Sequence, residues 1–273
     1  MLKNFFKTNF TISFLIILSL IIITNNFFRF FQNKTAHQFV PWLSNYQGGF
    51  VRRGLPGEFL FQIHDLLNIH LGWIVFVFVI LLYFSFYFSF FNLIKNIKLN
   101  KTLIFALFSP LAFYYPVINS KATGHKEIIF FLLLGIFCYL LPKVTKLNAT
   151  YLIGIMILII GLSHDGLVVF STYLLIPFLL FFKFKNYREL FINSLPILFV
   201  ILVLTIVTYI FKGSEQHVID ICNSIKIYAH SECENIGKIS ALKFTIDIPL
   251  IQKTELVYGG YSVYPSYFKI YGI

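Results

Sequence analysis

Charge is what this chain has least of. Only 12% of its 273 residues are charged, and just 11 are Asp or Glu. Mean hydropathy is +0.80. A soluble globular domain cannot be built from that composition, because its surface needs far more charge. Strict apolar–polar alternation is missing too, which excludes an outer-membrane barrel. Cysteine is scarce, and Cys138, Cys222 and Cys233 form no CxxC pair, so no zinc site is expected. No HExxH or equivalent spacing occurs, and neither a metal nor a cofactor is expected. No basic–aromatic motif accompanies the net charge of +11, so nucleic acid is not an expected partner. A small-x-small cleavage site is also missing. The first apolar run, Phe10 to Ile23, is followed by Thr-Asn-Asn-Phe-Phe. With Lys3 and Lys7 before it, the run reads as an uncleaved helix with a cytoplasmic N-terminus.

What remains is apolar sequence in long runs. The predicted fold is all-α, a polytopic bundle of about seven transmembrane helices plus one outer interfacial helix. After the first helix, the expected spans are Leu71–Ile94, Thr102–Ile118, Ile128–Leu141, Leu147–Leu162, Leu167–Phe182 and Phe191–Phe211. Residues 1–211 form the membrane domain, and 212–273 read as an extracytoplasmic tail or loop, truncated before further helices. The inner segments then hold ten Lys/Arg against six in the outer loops before the tail, as the positive-inside rule requires. All seven histidines and ten of the eleven acids fall outside, Glu189 being the exception. Acids hardly influence insertion, so the topology does not force this. Any chemistry is therefore expected at the extracytoplasmic face. Cys222 and Cys233 lie together in the tail, where an oxidising compartment would allow a disulfide.

Tyr46–Asn68 is the densest polar stretch, YQGGFVRRGLPGEFLFQIHDLLN. Pro56 suits a first helical turn. Glu58, Gln62, Asp65 and Asn68 then share one stripe, and Phe59, Leu60, Ile63, Leu66 and Leu67 cover the other side. An amphipathic helix over 56–69 follows, lying at the outer interface. It serves either as a plain anchor or as a means of turning Glu58 or Asp65 into a cavity. Arg52 and Arg53 precede it in a glycine-flanked turn. Arginine binds phosphate through two parallel hydrogen bonds, and glycines let backbone N–H groups approach the same anion. Snorkelling to headgroups explains an arginine equally well.

Two further clusters stand at helix ends. Ser120 to Glu127 reads SKATGHKE; Glu127 suits a helix N-terminus, while His125 and Lys126 could add cations around a pyrophosphate. Ser163-His164-Asp165-Gly166 forms a tight turn. Adjacent residues do not make a relay triad, and no nucleophile elbow is present. His164 and Asp165 are nevertheless candidates for a general base or a sugar-binding pair, and Asp-Gly is also an ordinary turn dipeptide.

The strings GGFVRRGLPGEFL, HKEIIFFLLL and SHDGLVVF, within roughly residues 40–175, are similar to those of bacterial polytopic membrane proteins encoded with surface-polysaccharide genes. The chain thereby resembles the O-antigen or capsule repeat-unit polymerases. His125 departs from the pattern, standing where another arginine was expected. The resemblance implies an inner-membrane glycosyltransferase acting outside on polyprenyl-diphosphate-linked oligosaccharide, alongside membrane lipid and other assembly proteins. It implies that Arg52, Arg53, His125, Lys126 and Glu127 surround the diphosphate, and that Asp165, His164 or Glu58 acts as base. Such polymerases are longer, so the chain reads as a fragment. Other classes fit the same composition. They are a lipid-phosphosugar-dependent transferase adding a single sugar, a lipid-glycan flippase, and a non-catalytic assembly subunit. A flippase would want charge at mid-depth, where this chain has none.

Overall fold

The computed structural model describes residues 19–28, 39–94, 124–211 and 213–233, with isolated positions 13, 16 and 17 before them. The expected span Thr102–Ile118 lies outside this set. Among the described residues every regular element is helical. The α-helices are α1 (Ser19–Phe28), α2 (Leu55–Leu67), α3 (Leu71–Ile94), α4 (Glu127–Leu140), α5 (Lys146–Ser163), α6 (Thr172–Phe181), α7 (Tyr187–Ile210) and α8 (Glu215–Cys233). Short 3-10 turns occupy Val40–Leu43, Leu141–Lys143 and Asp165–Ser171.

Among the described residues three helices are long and apolar enough to cross a membrane: Leu71–Leu93, Lys146–Ser163 and Tyr187–Ile210. They mark a helical membrane protein. The described residues do not confirm the expected count of about seven spans; Ser19–Phe28 and Gly166–Phe181 are apolar helices of shorter length. The run expected as one span from Leu167 to Phe182 begins as a 3-10 helix. There the Ser171 and Thr172 hydroxyls donate to the carbonyls of Val168 and Val169 three residues back. That competition draws the backbone out of α-helical register and leaves α6 only ten residues long. The first helix, for its part, does not stop at Ile23. It continues to Phe28 because Phe27 is buried, stacked on Phe76 of α3 with centroids 4.2 Å apart.

The packing has two centres joined by α4. The first gathers Ile23 and Phe27 of α1, Leu60 of α2, Val75 and Val79 of α3, and Ile221 of α8. The second gathers Phe137 of α4, Ile153 and Ile157 of α5, Phe178 of α6 and Leu204 of α7. Ile128 and Ile129 of α4 belong to the first and Phe130 to the second. Helix α5 lies against α7 at Gly161, where an added Cβ would stand 2.8 Å from Leu204 Cδ1. Small residues permit such approach where lipid gives helices no hydrophobic reason to associate.

Two elements differ from expectation. Helix α2 forms with Pro56 in its first turn and ends at Asn68, which adopts a left-handed conformation (φ 53°). Its apolar side is divided, however. Leu60 enters the core, while Phe59, Leu66 and Leu67 stay exposed. Glu58 is half-buried, and Gln62 and Asp65 are exposed. The second difference is α8, which occupies part of the expected polar tail. Val218, Ile221 and Ile225 are buried on one of its faces, at helical spacing. Its Ser224 hydroxyl accepts a hydrogen bond from Asn45 Nδ2 at 2.9 Å.

Candidate functional site

The site begins with a loop whose shape the sequence dictates closely. Gly49 has φ +114°, a conformation other residues rarely adopt. Gly57 packs so tightly that a Cβ would lie 1.8 Å from the Ser44 carbonyl oxygen. These glycines therefore seat the loop against its neighbours. The Glu58 carboxylate closes the loop, accepting the Tyr46 backbone N–H at 2.9 Å and Gln62 Nε2 at 3.2 Å. The Tyr46 ring fills the space above Gly54. Burial, and then the nearby Glu58 charge, push the Tyr46 phenol up to about 12.

Within this loop the two arginines part company, as neighbouring side chains must. Arg52 is buried, with 3% of its surface exposed. Arg53 is partly exposed and adopts φ 71°, the left-handed region, with Gly54 beside it. Non-glycine residues there carry a steric penalty of about 1–2 kcal/mol.

Lys126 joins this turn to a second one. Its side chain is buried, 2% exposed, and its Nζ donates to the carbonyl oxygens of Arg53 (2.8 Å) and Ser163 (3.1 Å). One ammonium thus ties the turn at 51–54 to the turn at 163–166, bridging separations of 73 and 37 residues. Lys126 is aimed by Gly124, whose φ of 95° again suits only glycine. The Gly124 carbonyl accepts Trp42 Nε1 at 2.6 Å, and its N–H donates to the Tyr83 hydroxyl at 3.1 Å. Trp42, Tyr83 and Gly124 are thus supporting residues that reading the sequence missed. The apolar string Phe39-Val-Pro-Trp-Leu43 between two polar stretches was the available signal.

The remaining candidates sit close by along the chain. Glu127 opens α4, where the helix dipole favours a carboxylate, and His125 Nδ1 lies 3.8 Å from its Oε2. His164 separates α5 from the following 3-10 turn, with its ring beside Gly166. Asp165 opens that turn, and its side chain lies outside the described set. Glu58 belongs to the same loop as the arginines, but its hydrogen bonds run to Tyr46 and Gln62.

Three further histidines have local structural roles. His64 Nδ1 bonds the Ile69 carbonyl, His70 Nδ1 accepts the Gly72 N–H at 3.2 Å, and His217 Nδ1 accepts the Ser214 N–H at 3.1 Å. Gly48 and Gly49 form the seat for α8, bringing His217 and Asp220 against the loop. Cys222 of that helix is disulfide-bonded, whereas Cys138 is free. The expected partner, Cys233, has a side chain outside the described set.

Among the described residues no group of three or more His, Cys, Asp or Glu could hold a metal ion. The arrangement instead offers cations. Two buried basic side chains and a strained third lie at one end of an apolar bundle, where low dielectric strengthens attraction for an anion. Comparison with protein-family models, curated proteins and solved structures returned no match for this chain.

Proposed function

We propose that this chain is a membrane glycosyltransferase of the polysaccharide-polymerase type. It acts at the extracytoplasmic face of a bacterial inner membrane on polyprenyl-diphosphate-linked glycans of O-antigen or capsule. One observation carries the reading: the Lys126 bridge that draws the arginine turn and the Ser163–His164 turn together. The strained backbone at Arg53 supports it. A glycine would relieve that strain, so the side chain there has a use beyond folding.

In the proposed reaction a hydroxyl of one lipid-linked glycan attacks the anomeric carbon of another. The bond from that carbon to the diphosphate breaks, and the hydroxyl proton passes to a base. Arg52, Arg53 and Lys126 hold the lipid diphosphate and stabilise its growing negative charge, with His125 beside them and Glu127 orienting His125. Asp165, His164 or Glu58 takes the proton.

The test is a gel of surface polysaccharide from cells lacking the gene, complemented with wild type, Arg53→Gly or Arg53→Ala. Arg53→Gly keeps the backbone conformation but removes the guanidinium. The expected result is loss of the long ladder, with single-repeat material retained. A full ladder from Arg53→Gly would remove Arg53 from the mechanism. A full ladder from the empty deletion strain would remove the polymerase reading altogether.

A further inference from the structure

The end of the bundle opposite the candidate site carries a second concentration of charge. Helix α5 connects them: Ser163 is its last residue and Lys146 its first, about 27 Å away at 1.5 Å per residue. Around Lys146 two turns are tied together. Its Nζ lies 2.6 Å from Glu189 Oε1 and donates to the Lys183 carbonyl at 3.2 Å. The other carboxylate oxygen of Glu189 accepts the Lys185 backbone N–H at 2.7 Å. The Asn186 side chain caps α7 by accepting the Glu189 N–H at 2.8 Å.

Among the described residues this network consumes the one acid at that end. Asp165, the other acid between Ile128 and Ser214, lies at the far end of α5. Lys143, Lys183, Lys185 and Arg188 are all exposed around it. Lys183, Lys185 and Arg188 sit at the N-terminus of a 24-residue helix, whose dipole adds to the positive potential. Apolar surface adjoins them. Tyr187, beside Arg188, is 91% exposed. Only 11% of the most apolar window of α7 is buried inside the protein. An exposed apolar helix wall thus leads directly to a cluster of cations, with a tyrosine at the boundary. That is the shape of an anionic phospholipid: acyl chain along the wall, phosphate at its end.

We infer that Lys183, Lys185 and Arg188 form a site for the phosphate headgroup of an anionic phospholipid whose chains lie along α7. This inference does not depend on the enzymatic reading.

The full chain is reconstituted in nanodiscs of phosphatidylcholine with a minority of phosphatidylglycerol. Lipid retained after mild extraction is then counted by native mass spectrometry. Phosphatidylglycerol should be enriched over the bulk ratio, and the enrichment should vanish at about 1 M salt, where the Debye length is about 3 Å. Each basic side chain contributes about fivefold to such partition, so Lys183→Gln, Lys185→Gln and Arg188→Gln together should lower it about 100-fold. Circular dichroism in phosphatidylcholine alone checks that the variant is folded. If it is not, the wild-type salt series decides. Retention at the bulk ratio, or enrichment surviving in the folded triple variant, would overturn the inference. Displacement of the lipid by millimolar inorganic phosphate would overturn it too, by making this a soluble-anion site.

Discussion

Replacing Lys126 by methionine isolates the bridge on which the candidate site depends. Methionine keeps most of the side chain's volume and removes only the ammonium. Two charged hydrogen bonds are lost, to Arg53 O and Ser163 O, each worth about 1.5–3 kcal/mol. Both carbonyl oxygens lose that donor. Against this, an ammonium no longer has to be buried, which returns part of the loss. The net expectation is a destabilisation of about 2–4 kcal/mol. For a chain of this size that is a fall in Tm of about 5–15 °C in a fixed detergent. The loss is local, so the turn at 51–54 should open before the bundle unfolds. Trypsin then reports it, because cleavage after Arg52 or Arg53 needs a turn that is now closed, with Arg52 only 3% exposed. New cleavage there, below the melting temperature, is the expected result. An unchanged melting curve together with unchanged trypsin resistance would refute the reasoning, because the ammonium would then hold nothing.

Other substitutions test the packing and the loop. Gly57→Ala pushes a Cβ to 1.8 Å from the Ser44 backbone oxygen and should cost about 3 kcal/mol or more, as backbone cannot step aside. Gly161→Ala meets the flexible end of Leu204 instead and should cost about 1 kcal/mol or less; thermal melts of both check the contrast. Arg53→Gly should stay within about 1 kcal/mol of wild type, since relief of the left-handed strain is offset by greater freedom of the unfolded chain. Its melting temperature is the folding control for the polysaccharide gel. Among the described residues the buried Tyr46 hydroxyl has no hydrogen-bond partner, so Tyr46→Phe should be neutral or slightly stabilising near pH 7. The raised Tyr46 pKa, about 12 against 10.0, means the folded state holds this proton more tightly. Its contribution is complete below pH 10 and declines as pH rises toward 12, by about 1 kcal/mol after allowing for its partial exposure. Alkaline melts of wild type should show that decline, and Tyr46→Phe should lack it.

Much of the fold was legible because the membrane constrains it so strongly. An uninterrupted apolar run such as Leu71–Ile94 has one means of satisfying its backbone in lipid, and it forms the helix expected. Pro56 fixed the start of α2 within a residue. The misreadings came where local chemistry competes with hydropathy. Ser171 and Thr172 divert their own backbone into a 3-10 turn, and average hydropathy does not register that. Helix α8 was passed over because its average is polar, although Val218, Ile221 and Ile225 carried the helical period. Gly57 and Gly54 also make room for Ser44 and Tyr46, a packing role that local sequence does not announce.

By itself, then, the sequence determined that this is a helical membrane protein, with its ionisable groups drawn away from the middle of its spans. Composition and run length suffice for that, because lipid charges every segment the same price for an unsatisfied polar group. Only the tertiary structure decided which of the polar motifs meet. Nothing in the strings around Arg53, Lys126 and Ser163 indicates that one ammonium would reach two carbonyls 73 and 37 residues away. That contact depends on how α4 lies between two packing centres and on how Trp42 and Tyr83 pin Gly124. Such long-range geometry is set by the packing of the whole bundle, and no local stretch of sequence encodes it.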